Sequence, residues 1–417
     1  MTNSNQNPGR EFTKVSVGVM MFCSFMNIIA RGMAETFAVF LLPVTGELTW
    51  SRGEFGSIYF VFMLANGLSA PFVGAIVDRH GPKAVYLSGV IVYGLGLLVA
   101  SRMETLWQAM LGMGLMMGFG VAATGMTAAS GLISRWFRRR ISLAAAFAYA
   151  GLPIGMVVIV PATQLLIDAS DWRTAYTVLG VVQLALAPLL LFLPWRRMAD
   201  DAPHKPAAQN GRRLMVAGPV LRQPVFWGLF ITLFMATTTI WTVMLQAVAY
   251  LVSIGYAPIT AATVYGSVGL ISIVGILGTG WACDRYGHRN VVTLSYLLTI
   301  LGVTLFWLLG QNPSIIGLVA FVLVFGISMG SRGPAVSALV AILFPSNVAA
   351  VYGTVTIGLG LGGAVGGWAS GLLYDLTGGY EAGFILSIVS AVIGITVFWI
   401  VRPLAQNHVP HGYGERV

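Results

Sequence analysis

Gly74-Ala75-Ile76-Val77-Asp78-Arg79-His80-Gly81-Pro82-Lys83 and, 206 positions later, Gly280-Trp281-Ala282-Cys283-Asp284-Arg285-Tyr286-Gly287-His288-Arg289 are one pattern, G-x-x-x-D-R-x-G-x-[RK], written twice. Two other echoes share nearly the same offset. Leu165-Leu166-Ile167-Asp168 returns as Leu372-Leu373-Tyr374-Asp375, and Ser130-x-Leu132 through Phe137 returns as Ser337-x-Leu339 through Phe344, both 207 positions on. The chain therefore reads as a tandem pair. An N-terminal unit covers 1–194, a polar Arg-, Ala- and Pro-rich linker 195–224, a C-terminal unit 225–402 and a short tail 403–417. Two equal units can rock about a site between them and open it to each side in turn.

Working outward, each copy of the pattern ends an apolar stretch. Of the 417 residues 57% are hydrophobic and 9% charged, against about 25% charged in a soluble domain. So little charge cannot cover a water-facing surface of this size. Twelve apolar stretches are long enough to cross a bilayer as helices, and the short alternating segments of a membrane barrel are missing. The predicted spans are Ser16–Pro43, Glu54–Val77, Ala84–Ala100, Leu106–Ile133, Ile141–Ile167, Trp172–Leu193, Val225–Leu251, Ile259–Cys283, Val291–Leu309, Ser314–Phe344, Val348–Tyr374 and Tyr380–Val401. The fold class is all-α integral membrane, six helices per unit. The first 14 residues are polar and the first apolar run is too long for a leader h-region, so no cleavable signal is expected.

Lys and Arg set the expected orientation. With the N-terminus inside, Arg79, Lys83, Arg135, Arg138, Arg139, Arg140, Arg196, Arg197, Arg285 and Arg289 fall in cytoplasmic loops, and only Arg52, Arg102 and Arg173 fall opposite. Both termini are then cytoplasmic. The +9 net charge is spread over short inner loops, which suits anchoring on anionic lipid rather than binding nucleic acid. Cys23 and Cys283 lie in or at the end of spans, and none of the five histidines does. That excludes a disulfide framework, a metal site and an intramembrane histidine relay. No cofactor and no obligate protein partner are implied, and no nucleophile–base pair or nucleotide loop points to an enzyme or an ATP-driven pump.

The doubled loop is a motif of the major facilitator superfamily, which the chain resembles over almost its whole length. The resemblance implies two pseudo-symmetric six-helix bundles whose spans 1, 4, 7 and 10 line a central cavity. The loops then act as conformational latches, made when the cytoplasmic side is closed. In each, a glycine (Gly74, Gly280) allows close helix approach, an acid (Asp78, Asp284) accepts from a neighbouring helix end, and Arg79, Lys83, Arg285 and Arg289 supply countercharge around the turn glycines Gly81 and Gly287. A second stretch, Trp136-Phe137-Arg138-Arg139-Arg140-Ile141-Ser142-Leu143-Ala144 followed by Ala150-Gly151-Leu152-Pro153-Ile154-Gly155, is similar to the entry to span 5 in the monocarboxylate porter family, as is Trp50-Ser51. That implies small organic anions, often moved with a proton, across a bacterial inner membrane. The mammalian-type members carry an Asp and an Arg in span 8 and a Lys in span 1. Here span 8 is uncharged and Glu35 stands near the lysine position, so lactate specificity does not carry over.

Three ionisable side chains lie deep in the spans: Arg31, Glu35 and Arg332. An unpaired charge at mid-bilayer costs about 2.5–3.5 kcal/mol even on the insertion scale, so each needs a partner or a wet cavity. All three are expected to reach one central space. Arg31 and Glu35, at i and i+4, share a helix face, as an ion pair or as part of the site. Glu35, the one deep acid, is the proton-coupling candidate. Arg332, in Gly330-Ser331-Arg332-Gly333-Pro334, is the expected bidentate substrate anchor. Asn27, Tyr59, Trp241 and Tyr265 are further substrate-contact candidates. The glycines Gly358 to Gly367 of span 11 read as close packing. The expected function is a secondary transporter of a small carboxylate, coupled to a proton or to a counter-anion. Efflux of apolar compounds is the other transport reading. A nutrient sensor is the reading outside that class, though only 16 residues follow Val401.

Overall fold

The computed structural model describes residues 13–137, 141–200, 218–344, 348–402 and 404, and of Asp78 and Asp284 it describes the backbone alone. Arg138, Arg139 and Arg140 lie outside the described residues. Twelve helices are long and apolar enough to cross a membrane: Lys14–Leu48, Arg52–Gly74, Arg79–Ser101, Leu106–Trp136, Ala144–Ala169, Trp172–Phe192, Pro224–Ser253, Pro258–Cys283, His288–Leu308, Ile315–Leu343, Val351–Thr377 and Glu381–Ile400, here spans 1 to 12. No strand occurs among the described residues. The helix starts are written locally. Ser51 and Glu54 exchange hydrogen bonds as a capping box ahead of span 2, Asp171 and Ser314 cap spans 6 and 10, and Pro224 and Pro258 stand in the first turns of spans 7 and 8. Gly81 and Gly287 sit at φ 78° and 79°. That left-handed backbone explains the second glycine of the doubled motif.

The two six-helix bundles meet along spans 2 and 11, 5 and 8, and the end of span 1 with span 7. The side carrying the doubled loops is here the latch side and the other the far side. On the far side span 2 runs tight against span 11: a Cβ at Gly53 would stand 2.9 Å from Asp375 Oδ2, and one at Gly371 would collide with the Arg52 carbonyl. On the latch side a Cβ at Gly74, Gly81 or Gly280 would meet open space. The close helix approach expected at Gly74 and Gly280 belongs to the state with this side closed, and it is not made in this conformation. The far side is shut, and among the described residues nothing is pressed against the latch glycines. Arg79, Lys83 and Arg285 are exposed, and Arg289 lies over the Trp399 ring of its own half, 4.4 Å from the centroid.

The span 11 glycines do pack as expected. A Cβ at Gly358, Gly362 or Gly366 would press on the carbonyls of Phe230, Phe234 or Thr238 in span 7. Thr238 Oγ1 crosses the same contact to the Gly362 carbonyl at 3.1 Å. The other span 7 threonines bond their own helix: Thr237 to Leu233, Thr239 to Met235, Thr242 to Thr238. Met113 and Met117 are buried core filler.

Candidate functional site

Span 1 is two helices, Lys14–Ala34 and Phe37–Leu48, joined at Glu35 and Thr36. The Glu35 amide still closes the first helix on the Arg31 carbonyl at 3.0 Å, and Thr36 Oγ1 donates to the Met33 carbonyl at 2.7 Å. Glu35 closes the first helix in helical backbone, one turn beyond Arg31. Among the described residues the only salt bridge is Arg173 to Glu47, so the expected i, i+4 ion pair is not made. The helical spacing holds as far as Glu35, but its carboxylate accepts from Tyr265 instead of pairing with Arg31.

Glu35 instead faces the other half. The Tyr265 hydroxyl of span 8 donates to Glu35 Oε2 at 2.8 Å, and both side chains are buried. Tyr59 of span 2 lies alongside, with its own hydroxyl buried and without a protein partner. Its ring centroid is 5.2 Å from Phe37 and 5.5 Å from Trp241. The Tyr93 hydroxyl donates to the Ala30 carbonyl at 3.0 Å. Arg31 and Glu35 both lie within electrostatic reach of Tyr59 and Tyr93. Phe37, Phe55, Tyr59 and Phe62 close the far side of the cluster as one aromatic block. Arg31, only partly buried, lies one turn nearer the latch side. The fold thus gathers Arg31, Glu35, Tyr59, Trp241 and Tyr265 from both halves. Tyr93 was missed, because a span 3 tyrosine carries no signal of its own.

Asn27 and Arg332 stand elsewhere. Asn27 Nδ2 donates to the Cys23 carbonyl at 2.9 Å and packs on Gly151 of span 5, inside the N-terminal bundle. Arg332 does not reach the space of Arg31 and Glu35, which corrects the expected convergence. Span 10 breaks at Gly330–Ser331 and a new helix, Arg332–Leu343, begins. From there the guanidinium turns to span 9: Nη2 donates to Thr299 Oγ1 at 2.9 Å and to the Ser328 carbonyl at 3.3 Å, and the group lies 4.3 Å from the Tyr296 ring centroid. Arg332 is 2% exposed; among the described residues its Nε and Nη1 have no acceptor in good geometry, and the Tyr296 hydroxyl stands within reach of the guanidinium. Among the described residues no group of three or more His, Cys, Asp or Glu could hold a metal.

The sequence matches the Major Facilitator Superfamily over residues 20–330 and 273–416. Monocarboxylate transporter 13 of Bos taurus is 27% identical over 372 residues, covering 88% of this chain and 85% of that protein. The 4-hydroxybenzoate transporter PcaK of Pseudomonas putida is 25% identical over 423 residues, covering 93% of each. Among solved structures, a point mutant of the nucleoside transporter NupG superposes with a TM-score of 0.76 at 16% identity over 93% of this chain and all of that one. A D-xylose-proton symporter gives 0.72 at 12% identity over 94% and 99%. These likenesses establish the twelve-helix, two-bundle fold. The chain belongs to the major facilitator superfamily, as a multi-pass membrane transporter distantly related to the monocarboxylate and aromatic-acid carriers.

Proposed function

We propose that this transporter carries a small organic anion, a carboxylate, across a bacterial inner membrane together with a proton, by alternating access. The observation that carries the reading is the buried hydrogen bond between Tyr265 and Glu35 at 2.8 Å, which joins the halves at the one deep acid. Arg31 sits beside it as the cation for the substrate carboxylate. The names of the two relatives, a monocarboxylate and a 4-hydroxybenzoate transporter, support the carboxylate class. On the positive-inside reading the latch side is cytoplasmic, so the shut far side and the open space at Gly74 and Gly280 correspond to an inward-facing state.

Charge counting links proton and substrate. Arg31 stays protonated throughout. A substrate carboxylate on Arg31 beside an ionised Glu35 leaves one net negative charge sealed at mid-membrane, which costs several kcal/mol in a low-dielectric site. A proton on Glu35 makes the trio neutral and lets the loaded site close. Without substrate, ionised Glu35 balances Arg31 and accepts from Tyr265. Purified protein in proteoliposomes tests this. A thermal-shift screen of mono-, di- and aromatic carboxylates picks the ligand, since a bound ligand stabilises the folded state by mass action. Uptake of that ligand should follow an imposed pH gradient, and Glu35→Gln should abolish the gradient-driven component while sparing exchange. Undiminished gradient-driven uptake by Glu35→Gln would refute the coupling, and a ligand shift that survives Arg31→Gln would refute the anchor.

A further inference from the structure

The far-side closure includes the contact of spans 2 and 11 and that of spans 5 and 8, and of these two only the first is fastened by hydrogen bonds at its far-side end. At the first contact Asp375, at the end of span 11, accepts from the backbone N–H of Arg52 at 3.0 Å (Oδ1) and of Gly53 at 2.6 Å (Oδ2). Those are first-turn donors of span 2, which its own helix leaves unsatisfied, and a carboxylate there also meets the positive end of the helix dipole. The Arg52 side chain reaches the opposite way. Nη1 donates to Gln246 Oε1 of span 7 at 3.2 Å and to the Tyr380 hydroxyl, ahead of span 12, at 2.6 Å. The guanidinium lies 3.5 Å from the Tyr374 ring centroid, a cation–π contact. One short segment of the N-terminal half thus holds three segments of the C-terminal half.

The internal repeat supplies the comparison. Asp168 stands 207 positions before Asp375 and ends span 5 as Asp375 ends span 11. In the 206-residue register of spans 2 and 8, Pro258, which has no N–H to offer, stands opposite Arg52, and Ile259 opposite Gly53. Asp168 is exposed, and Gln164 of its own helix donates to its Oδ1 at 2.8 Å. Among the described residues no hydrogen bond joins Asp168 to span 8. Among the described residues spans 5 and 8 meet by packing, with Gly266 seated against the Met156 carbonyl and Val157, and the neighbouring Tyr265 ties span 8 to Glu35 of span 1 well inside the far-side end.

We propose that Arg52 and Asp375 form a one-sided outer clamp that holds the transporter shut on the far side. The far side opens by parting spans 2 and 11, and the contact of spans 5 and 8, which lacks such a clamp, serves as the hinge. This rests on the alternating-access reading above, and its test needs neither substrate nor proton gradient. Full-length protein in nanodiscs, with Cys23→Ser and Cys283→Ser, is spin-labelled at Glu104→Cys and Asn312→Cys, exposed far-side positions in the two halves, and distances are measured by pulsed dipolar spectroscopy. Asp375→Asn and Arg52→Gln should each add a longer-distance population. The open-to-closed ratio should rise about tenfold, which corresponds to the loss of one charge-assisted hydrogen bond. Asp168→Asn should leave the distribution as in the parent. Unchanged distances in Asp375→Asn and Arg52→Gln would overturn the clamp, and a similar opening in Asp168→Asn would overturn its one-sidedness. If one clamp variant is not recovered folded, the other reads the same ratio. Distances that respond while transport assays contradict the proton or carboxylate reading leave the clamp standing.

Discussion

At the scale of single residues, two buried groups make opposite bargains. Glu35 has a partner, and that partner belongs to the other half of the molecule. Arg332 has three of its five N–H donors on Nε and Nη1, and among the described residues neither nitrogen has an acceptor in good geometry, with only the Tyr296 hydroxyl within reach. A buried guanidinium so poorly matched is often replaceable by an apolar side chain with no loss of stability, or with a gain. A transport role for Arg332 would have those donors meet acceptors in another state of the cycle, and one variant separates that role from packing. Arg332→Met is therefore expected to melt at or above the parent temperature, by differential scanning fluorimetry, and to have lost transport by at least tenfold. A destabilised Arg332→Met would assign the arginine to span packing instead. The sequence showed which residues were the deep charges, because composition alone isolates them. It could not show where they point. No glycine or proline stands at the break itself, Glu35–Thr36: Gly32 lies one turn before it and Pro43 well after, and nothing local names Tyr265 as the partner of Glu35.

At the scale of elements, helix ends and close crossings were legible, because both are written in local residue types. Ser51 with Glu54, and the glycines of span 11, act as read. Asp171 is a further case: its carboxylate caps span 6 by accepting from the Thr174 amide at 2.7 Å, which together with the Thr174 hydroxyl holds it below the usual carboxylate range. A depressed folded-state value means the cap stabilises fully above the ordinary carboxylate pKa, and that the benefit fades as pH falls through the lowered one. Thermal unfolding should show Asp171→Ala less stable than the parent at pH 7, with the two converging in acid. At the span 7 and span 11 crossing, a Cβ on Gly366 would stand 2.6 Å from the Thr238 carbonyl. Gly366→Val is expected to cost about 1–3 kcal/mol by overpacking, seen as a lower melting temperature. The breaks in spans 1 and 10 are different. Span 10 advertised its own with Gly330, Gly333 and Pro334, while span 1 did not, and so the expected meeting of Arg332 with Glu35 rested on one visible break and one hidden one.

At the scale of the whole molecule, the doubled loop announced two halves that move, and the conformation shows which end is shut. The fastening of that end was not legible. Arg52 is separated from Asp375, Gln246 and Tyr380 by 323, 194 and 328 positions, and no local pattern brings such residues together. Only the echo between Asp168 and Asp375 hinted that span ends matter. Latch and clamp should act in opposite senses on one equilibrium, since each holds a different end closed. Asp78→Asn or Asp284→Asn is expected to enrich the state described here, and combining either with Asp375→Asn should return the spin-label distances toward those of the parent. A combined variant no different from Asp375→Asn alone would separate the two ends. The clamp also has an uneven tolerance to amino-acid replacement. Two of its donors are peptide N–H groups at positions 52 and 53, which every residue except proline supplies, whereas the acceptor is the side chain of position 375 alone. In a saturation scan for gating, position 375 should therefore accept almost nothing and position 52 a graded series, so the two partners in one contact would leave quite different records.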